Sequence, residues 1–222
     1  DTTVTARALD GYELSEGSAT SWTFEYVAPV LPDPKGNVFY VSDDWNGGDF
    51  VDAFAYGRIG DEVYAGDWDG DGSDTLAVRR GKTFYVNNEL KGGNADAEFK
   101  YGRLGDEVLV GDWNNDGTDT FGVRRGHTFY LNNELVGGNA DSEFKYGRDG
   151  DDVLVGDWDG TDGDTITIRR GSVYYVNNEH LGGNAKIVYN YGWASDEALA
   201  GDFDGDGIDT VSIRRANVFH IN

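Results

Sequence analysis

A repeat of 45 residues is the feature of this sequence that most restricts its fold. The stretch GDWDGDGSDTLAVRRG begins at Gly66, and related stretches follow at the same spacing from Gly111, Gly156 and Gly201. The residues between these stretches also repeat in register, as in FYVNNELKGGNADAEFKYGR from Phe84. A fixed period of this size predicts a repeat architecture, in which each unit buries its apolar face against its neighbours.

One repeat contains four short segments that alternate between apolar and polar residues and are rich in β-branched and aromatic side chains. They lie near Thr83–Asn87, Ala97–Gly102, Glu107–Trp113 and Thr120–Arg124, and Gly, Asn or Asp separates them. Such segments are typical of strands, and no part of the repeat has a helical period. Four strands in about 45 residues match one propeller blade better than one coil of a solenoid. The sequence therefore predicts an all-β fold, a β-propeller of four-stranded blades.

The number of blades depends on the chain ends. The acidic loop occurs four times, but the strand FYV and its variants occur five times, beginning at Phe39, Phe84, Phe129, Tyr174 and Phe219. We expect four repeats, at 39–83, 84–128, 129–173 and 174–218, with 219–222 as a closing strand. The favoured prediction is five blades, the fifth formed by this strand and residues 1–36, because closure hides sheet edges. The alternative is four blades, with residues 1–36 resembling the tail of an immunoglobulin-like module followed by a proline-containing linker.

Composition limits the classes of partner. The chain has 18 basic and 41 acidic residues, a net charge of −23, which argues against binding to nucleic acid or to anionic membranes. No apolar run is long enough to span a bilayer. The sequence begins at Asp1 without a leader-like pattern, so we expect a mature or excised segment that acts as a monomeric module. It has no cysteine, which excludes disulfides and thiolate metal sites.

The acidic loop has the composition of a cation site. Asp67, Asp69 and Asp71 occupy alternate positions of a glycine-rich turn, a spacing at which carboxylates converge on one hard cation. Calcium suits an all-oxygen ligand set better than zinc. The alternative is that these acids only cap turns. The fourth copy is equally acidic, the second copy keeps oxygen ligands, and the third copy is the weakest candidate. The candidate ligands are Asp202, Asp204 and Asp206 in the fourth copy, Asp112, Asn114 and Asp116 in the second, and Asp157 and Asp159 in the third.

These loops resemble the FG-GAP or VCBS-type repeat, which has the form Asp-aromatic-Asp/Asn-Gly-Asp-Gly-x-x-Asp before an apolar strand. The resemblance covers residues 39–222 and implies an extracellular, calcium-binding β-propeller of a secreted or surface bacterial protein. One position departs from the family pattern, because the last acid comes one residue early in every copy. The acids at this position are Asp74, Asp119, Asp164 and Asp209. We expect each of them either to reach the metal despite the shift or to pair with a nearby arginine.

Arginines, aromatic residues and asparagines also recur with the repeat. One arginine of each pair, as in Arg79 and Arg80, is expected to neutralise an aspartate on the acidic-loop side. The first three acidic loops each contain a tryptophan, at Trp68, Trp113 and Trp158. We expect these side chains to pack between blades, with stacking on a sugar as the alternative. Better candidates for contact with a sugar are Trp45 and Trp193, which break the repeat. The recurring asparagines are Asn87, Asn132 and Asn177. We expect their amides either to bind sugar hydroxyls or to form turns.

No catalytic constellation emerges from the sequence. The three histidines occupy unrelated positions in the repeats, and no acid pair stands apart from the repeated pattern as a glycosidase would require. The leading hypothesis is a non-catalytic, calcium-stabilised module that binds a cell-wall or other polysaccharide, with or without an attached enzyme such as a cell-wall hydrolase. The alternatives are a structural spacer or protein-adhesion domain and, with least support, a glycosidase.

Overall fold

The computed structural model describes residues 2–8, 10–24, 36–42, 52–161 and 163–221, and every regular element in them is a β-strand. The strands follow one another at short intervals, as the alternating sequence pattern predicted. In chain order they are β1 (Thr2–Thr5), β2 (Ser21–Phe24), β3 (Asn37–Val41), β4 (Asp52–Tyr56), β5 (Glu62–Gly66), β6 (Thr75–Arg80), β7 (Thr83–Val86), β8 (Ala97–Lys100), β9 (Glu107–Gly111), β10 (Thr120–Arg125), β11 (Thr128–Leu131), β12 (Ser142–Lys145), β13 (Asp152–Gly156), β14 (Thr165–Arg170), β15 (Val173–Asn177), β16 (Ile187–Asn190), β17 (Glu197–Gly201), β18 (Thr210–Arg215) and β19 (Val218–His220).

The strands from β5 onward form four antiparallel sheets. Sheet 1 contains β5–β8, sheet 2 contains β9–β12, sheet 3 contains β13–β16, and sheet 4 contains β17–β19. The first strands of the sheets are neighbours in order, since β9 contacts both β5 and β13, and β13 contacts β17. The sheets are thus arranged like the blades of a four-bladed β-propeller, and the prediction of an all-β propeller is confirmed. Two further ribbons, β1–β2 and β3–β4, pair separately.

The structure does not support the favoured prediction of a fifth blade formed by the chain ends. Strand β19 pairs with β18, where Phe219 lies opposite Arg214, and β1 pairs only with β2 among the described strands. A tight turn through Ala216, whose φ is 54°, returns the chain directly onto β18. The β18–β19 hairpin therefore places the C-terminal strand in sheet 4, whereas the prediction had placed it in a separate blade with residues 1–36. The four-bladed alternative agrees with this arrangement.

Each sheet combines strands from two successive sequence repeats. In sheet 1, β5 and β6 end one repeat, whereas β7 and β8 begin the next, and a turn at residues 81–82 joins the two halves. The repeat boundary placed at the FYV strand therefore falls in the middle of a sheet. As a result, the backbone links consecutive repeats through continuous antiparallel pairing.

The apolar core lies between successive sheets. Phe84 on β7 is fully buried and stacks on Phe99 of the same sheet, with ring centroids 5.4 Å apart. It also contacts Phe121 of sheet 2, at a centroid distance of 4.4 Å. The corresponding residues of the next two sheets, Phe129 and Tyr174, are equally buried. Alternate residues of the third strand thus form the contact between neighbouring sheets, which explains their aromatic character.

A buried arginine connects each sheet to the next at the end opposite the acidic loop. The guanidinium of Arg79 in sheet 1 donates hydrogen bonds to Glu62 and to the carbonyl oxygens of Arg103 and Asp106, which precede sheet 2. Arg124 and Arg169 make similar contacts with the following sheet. These side chains satisfy backbone carbonyls that close packing would otherwise isolate from water.

The neighbouring arginine forms an ion pair within its own sheet. Arg80 binds Asp61 through two hydrogen bonds of 2.8 and 2.5 Å, and its guanidinium lies over the ring of Tyr85. Asp61 precedes β5, at the far end of that strand from the acidic loop. The expectation that an arginine neutralises an aspartate is met, but the expectation that this occurs on the acidic-loop side is wrong. Strand β6 begins at the acidic loop and ends at its arginines, so the length of the strand separates them.

We predict that Arg124→Met lowers the free energy of unfolding by about 3 kcal/mol, because it leaves two buried carbonyl oxygens without donors. The matched control is Arg148→Met, since the side chain of Arg148 is exposed. We expect the control to cost less than about 1 kcal/mol. Urea unfolding monitored by tryptophan fluorescence measures both changes, and equal losses would contradict the proposed role of Arg124.

Candidate metal loops and inter-sheet grooves

The first acidic loop, residues 67–74, is folded around the carboxylate of Asp67. That carboxylate accepts amide hydrogen bonds from Gly70, Asp71 and Gly72 at 2.8, 3.1 and 2.8 Å. Both glycines have positive φ, 74° and 87°, which allows the tight turn. Partial burial acts in the opposite direction, but the amide donors lower the pKa of Asp67. The loop therefore holds an ionised carboxylate in a defined position.

Two of the four loops bring three carboxylates together. Ligand oxygens of Asp67, Asp69 and Asp71 lie within 4.8 Å of one another, and the fourth loop does the same with Asp202, Asp204 and Asp206. Oxygen atoms bound 2.3–2.6 Å from one calcium ion are at most about 5 Å apart. The exposed, all-oxygen groups of these two loops therefore fit a calcium ion. They are also the two copies that the sequence ranked first.

The second and third loops form no such triad within the described residues. In the second loop, the amide of Asn114 donates to Asp116 at 2.9 Å, while Asp112 accepts amides as Asp67 does. In the third loop, the carboxylate of Asp159 accepts hydrogen bonds from Thr161 and from Asn178, which follows β15. A cation would have to compete with those donors. Any preference for calcium should therefore lie with the first and fourth loops.

The last acids of the loops link one loop to the next. The amide of Asp119 donates to the carbonyl oxygen of Asp67 at 2.7 Å, and its carboxylate accepts the amide of Asp67 at 2.9 Å. The same reciprocal pair joins Asp164 to Asp112 and Asp209 to Asp157. These contacts are not the arginine pair that was one of the two roles expected from the sequence, and the other role, contact with the metal, stays a prediction. We call this pair of hydrogen bonds the aspartate link.

Glycine is required where the aspartate link forms. A Cβ atom on Gly66 would lie 2.9 Å from the carboxylate of Asp119, and Gly111 and Gly156 face the following acid in the same way. Because these glycines have no side chain, the next loop can approach the end of the first strand of each sheet. The recurring Gly-Asp pair in the sequence reflects this approach as well as turn formation.

Burial affects the acidity of the linking aspartates. It is the main cause that raises the pKa of Asp119, Asp164 and Asp209, with further increases from neighbouring aspartates and a partial offset by the accepted amide. The pKa of Asp164 rises to about 7 from its usual 3.8. The carboxyl group of Asp164 therefore titrates near neutral pH, and the pKa values of Asp119 and Asp209 are shifted in the same direction.

The remaining candidate residues divide between structural and exposed positions. Trp68 and Trp113 are 3% exposed and pack between sheets, where Trp68 stacks on Phe121 at 4.7 Å. Trp158 is partly buried, and its indole N–H contacts the carbonyl oxygen of Thr165 at 3.4 Å. Trp193 is 62% exposed, with the guanidinium of Arg215 3.5 Å from its ring centre. Trp45 lies outside the described residues.

The recurring asparagines form turns. The buried amide of Asn87 donates to the carbonyl oxygen of Lys91 and accepts the amide of Glu89. Asn132 and Asn177 donate to the equivalent carbonyls of their own turns. Of the two roles that the sequence left open, these contacts match the turn, since buried amides already paired with backbone groups are not presented to an external ligand.

Two equivalent grooves were not identified from the sequence. The first lies between the β3–β4 ribbon and sheet 1, has a volume of about 400 Å³, and is lined by residues that include Tyr56, Arg80, Tyr85, Asn94 and Glu98. The second lies between sheets 1 and 2, has a volume of about 280 Å³, and includes Tyr101, Arg125, Tyr130, Asn139 and Glu143. Each member recurs after 45 residues, so periodicity was the available signal. Only the packing of sheets shows that these positions meet.

We predict that the stability of the protein falls as pH rises through 7 when a chelator is present. The folded state holds the Asp164 proton more tightly than the unfolded chain, so this contribution is complete below pH 3.8 and is lost as pH rises through about 7. Asp164→Asn keeps a hydrogen-bond acceptor without the charge and should reduce the slope by up to about 1.4 kcal/mol per pH unit. Urea unfolding between pH 4.5 and 8 measures it. Glu134→Gln, at an exposed acid, is the control, and an unchanged slope in Asp164→Asn would contradict the assignment.

Comparison with known proteins adds no relative. No protein-family model, no curated protein and no solved structure matches this chain. None of the described residues forms a helix long and apolar enough to cross a membrane. The likeness of the acidic loops to FG-GAP or VCBS-type repeats therefore rests on the residues of the loops alone, and the site must be interpreted from its own geometry.

Proposed function

We propose that this chain is a non-catalytic, calcium-stabilised β-propeller module of a secreted or surface bacterial protein, and that it binds a polysaccharide such as a cell-wall glycan. The observation that carries the proposal is the repetition of one groove, with the same aromatic, amide, guanidinium and carboxylate groups, at successive sheets. Repeated, equivalent grooves suit a ligand that is itself repetitive.

The groups in the grooves match the chemistry of sugars. The partly exposed ring of Tyr85 supplies an apolar surface, while the amide of Asn94 and the carboxylate of Glu98 supply donors and acceptors for hydroxyl groups. Both residues are exposed, so they can exchange water for a ligand. In sheet 3, Val188 replaces the glutamate, which removes the acceptor there. Two grooves along one polymer would add their weak affinities through a high effective concentration.

Charge restricts the kind of polysaccharide. With a net charge of −23, the module repels anionic polymers unless a local cationic surface compensates. The guanidinium of Arg80 in the first groove is already paired with Asp61. We therefore propose a neutral or cationic glycan as the ligand.

Calcium would serve the scaffold in this proposal. The residues that would hold it are Asp67, Asp69 and Asp71 in the first loop and Asp202, Asp204 and Asp206 in the fourth. When bound, the ion supplies positive charge to carboxylates that otherwise repel one another. The folded loops already orient the first aspartate through backbone amides, so binding requires little further ordering.

We predict two calcium sites, each with a Kd of about 10⁻⁴ to 10⁻³ M, the range of extracellular modules. The double variant Asp71→Asn/Asp206→Asn should abolish binding measured by titration calorimetry, and should also remove the rise in melting temperature on adding calcium. Asp159→Asn, in the loop without a triad, is the matched control and should bind as the unaltered protein does. Undiminished binding by the double variant would contradict this assignment.

We predict that the module co-sediments with purified bacterial cell walls or insoluble neutral polysaccharides in millimolar calcium. Substituting Glu98 and Asn94 by alanine should weaken retention, and adding Glu143→Ala and Asn139→Ala should abolish it, because the grooves act together. Glu134→Gln is the control at an exposed position outside both grooves. Retention that survives the four substitutions would place the site elsewhere, and no retention on any polymer would favour the spacer or protein-adhesion role.

A further inference from the structure

The two ends of the described array are incomplete in complementary ways. Sheets 1, 2 and 3 have four strands, whereas sheet 4 has the first three and the β3–β4 ribbon has two. In the ribbon, Phe39 lies opposite Phe54, and their rings stack at 5.6 Å. In sheet 1, Phe84 of the third strand lies opposite Phe99 of the fourth in the same way. The ribbon therefore corresponds to the third and fourth strands of a blade, and no described strand pairs with it as the second strand would.

Strands β3 and β19 are two copies of the same strand. Both begin with Asn-Val-Phe, at Asn37 and Asn217, and both belong at the third position of a sheet. Phe219 of β19 lies opposite Arg214, as Phe84 lies opposite Arg79. However, Phe219 is 56% exposed, whereas Phe84 is fully buried. Strand β19 therefore occupies the third position of sheet 4 without the burial that this position has elsewhere.

The groups that link neighbouring sheets are also divided between the two ends. At Gly201, a Cβ atom would meet only Phe203, and within the described residues no later aspartate approaches Asp202 as Asp119 approaches Asp67. At the other end, Asp74 is the linking acid of the first loop and is exposed. Asp202 thus offers the backbone half of an aspartate link, and Asp74 offers the carboxylate half.

We propose that these ends are two halves of one blade within the same molecule. Strand β3 replaces β19 beside β18, producing the four-stranded sheet β17–β18–β3–β4 and closing the four sheets into a ring. The carboxylate of Asp74 then accepts the amide of Asp202, and Arg214 reaches the carbonyl oxygens of Arg58 and Asp61 as Arg79 reaches those of Arg103 and Asp106. Closure replaces a three-residue strand by a five-residue strand that carries its own partner, β4.

Closure within one molecule is favoured over pairing between copies for two reasons. The four sheets already follow one another like propeller blades, so the fourth precedes the first around the ring. Segments of one chain also meet at an effective concentration in the millimolar range, far above that of a second molecule in dilute solution. Closure also covers the edge of β3 with which no described strand pairs, and which would otherwise be available to other chains.

The absence of cysteine allows a direct test by engineered disulfides. Ser212 on β18 would lie opposite Val41 if β3 fills the third position, by analogy with Ala77 and Val86 of sheet 1. It lies opposite Ile221 if the register of β18 and β19 continues by one residue. We therefore compare Val41→Cys/Ser212→Cys with Ser212→Cys/Ile221→Cys at low protein concentration under a mild thiol oxidant. Peptide mapping and non-reducing electrophoresis identify the bonds.

We expect the Val41–Ser212 variant to lose both free thiols through a bond within the monomer. Free thiols in this variant, together with bond formation in the Ser212–Ile221 variant, would overturn the proposal. A bond between two molecules would also overturn it, because a second copy would then be the partner. Tryptophan fluorescence and the melting curve verify that the variants are folded.

A second pair of substitutions tests the aspartate link without altering β18. Asp74→Cys/Gly201→Cys places thiols at the proposed closing contact, and Gly156→Cys/Asp209→Cys places them at an existing one. At the existing contact, a Cβ on Gly156 would lie 3.0 Å from that of Asp209, so a shift of about 0.5 Å brings the pair into the disulfide range. The Asp209 substitution also removes the carboxylate that would clash with this Cβ. We expect both variants to lose their thiols within the monomer at similar rates. Bond formation only in the Gly156–Asp209 variant would contradict closure.

Discussion

The reciprocal hydrogen bonds between successive acidic loops are the interaction on which the arrangement of the sheets depends. Each aspartate link joins the start of one loop to the end of the next, so the first strands of successive sheets are held at a repeated spacing. Buried arginines make the corresponding connection at the other end of the same strands. Neighbouring sheets are therefore linked at both ends of an apolar core that contains stacked aromatic rings.

This construction explains how a chain with so many acids remains compact. Some of the acids are used locally, since Asp61, Asp106, Asp151 and Asp196 each pair with an arginine on the second strand of their own sheet. The linking acids are partly buried, and burial raises their pKa. The pKa rises to about 7 at Asp164, which reduces the negative charge of that residue near neutral pH. Among the described residues, the acids that converge on one point are those of the first and fourth loops, where a cation would relieve their repulsion.

In the proposed function, the residues that hold the sheets in place differ from the residues that bind the ligand. The acidic loops and the aspartate links set the spacing of the sheets. Aromatic and polar residues form a groove between the β3–β4 ribbon and sheet 1 and another between sheets 1 and 2. A polymer with repeated units would contact successive grooves through the same groups. Closure of the ring would protect the strand edges at the ends of the array while leaving the grooves exposed.

The sequence by itself determined the features that depend on neighbouring residues along the chain. Alternating residues and glycine-rich turns located the strands within a repeat, and the spacing of Asp67, Asp69 and Asp71 identified the most acidic loops. The tertiary structure alone decided which residues from different sheets meet. It placed Asp119 against Asp67, buried Trp68, grouped β5–β8 into one sheet and formed the grooves. Such contacts join residues that are far apart in sequence, and local periodicity contains no information about which buried surface each strand will face.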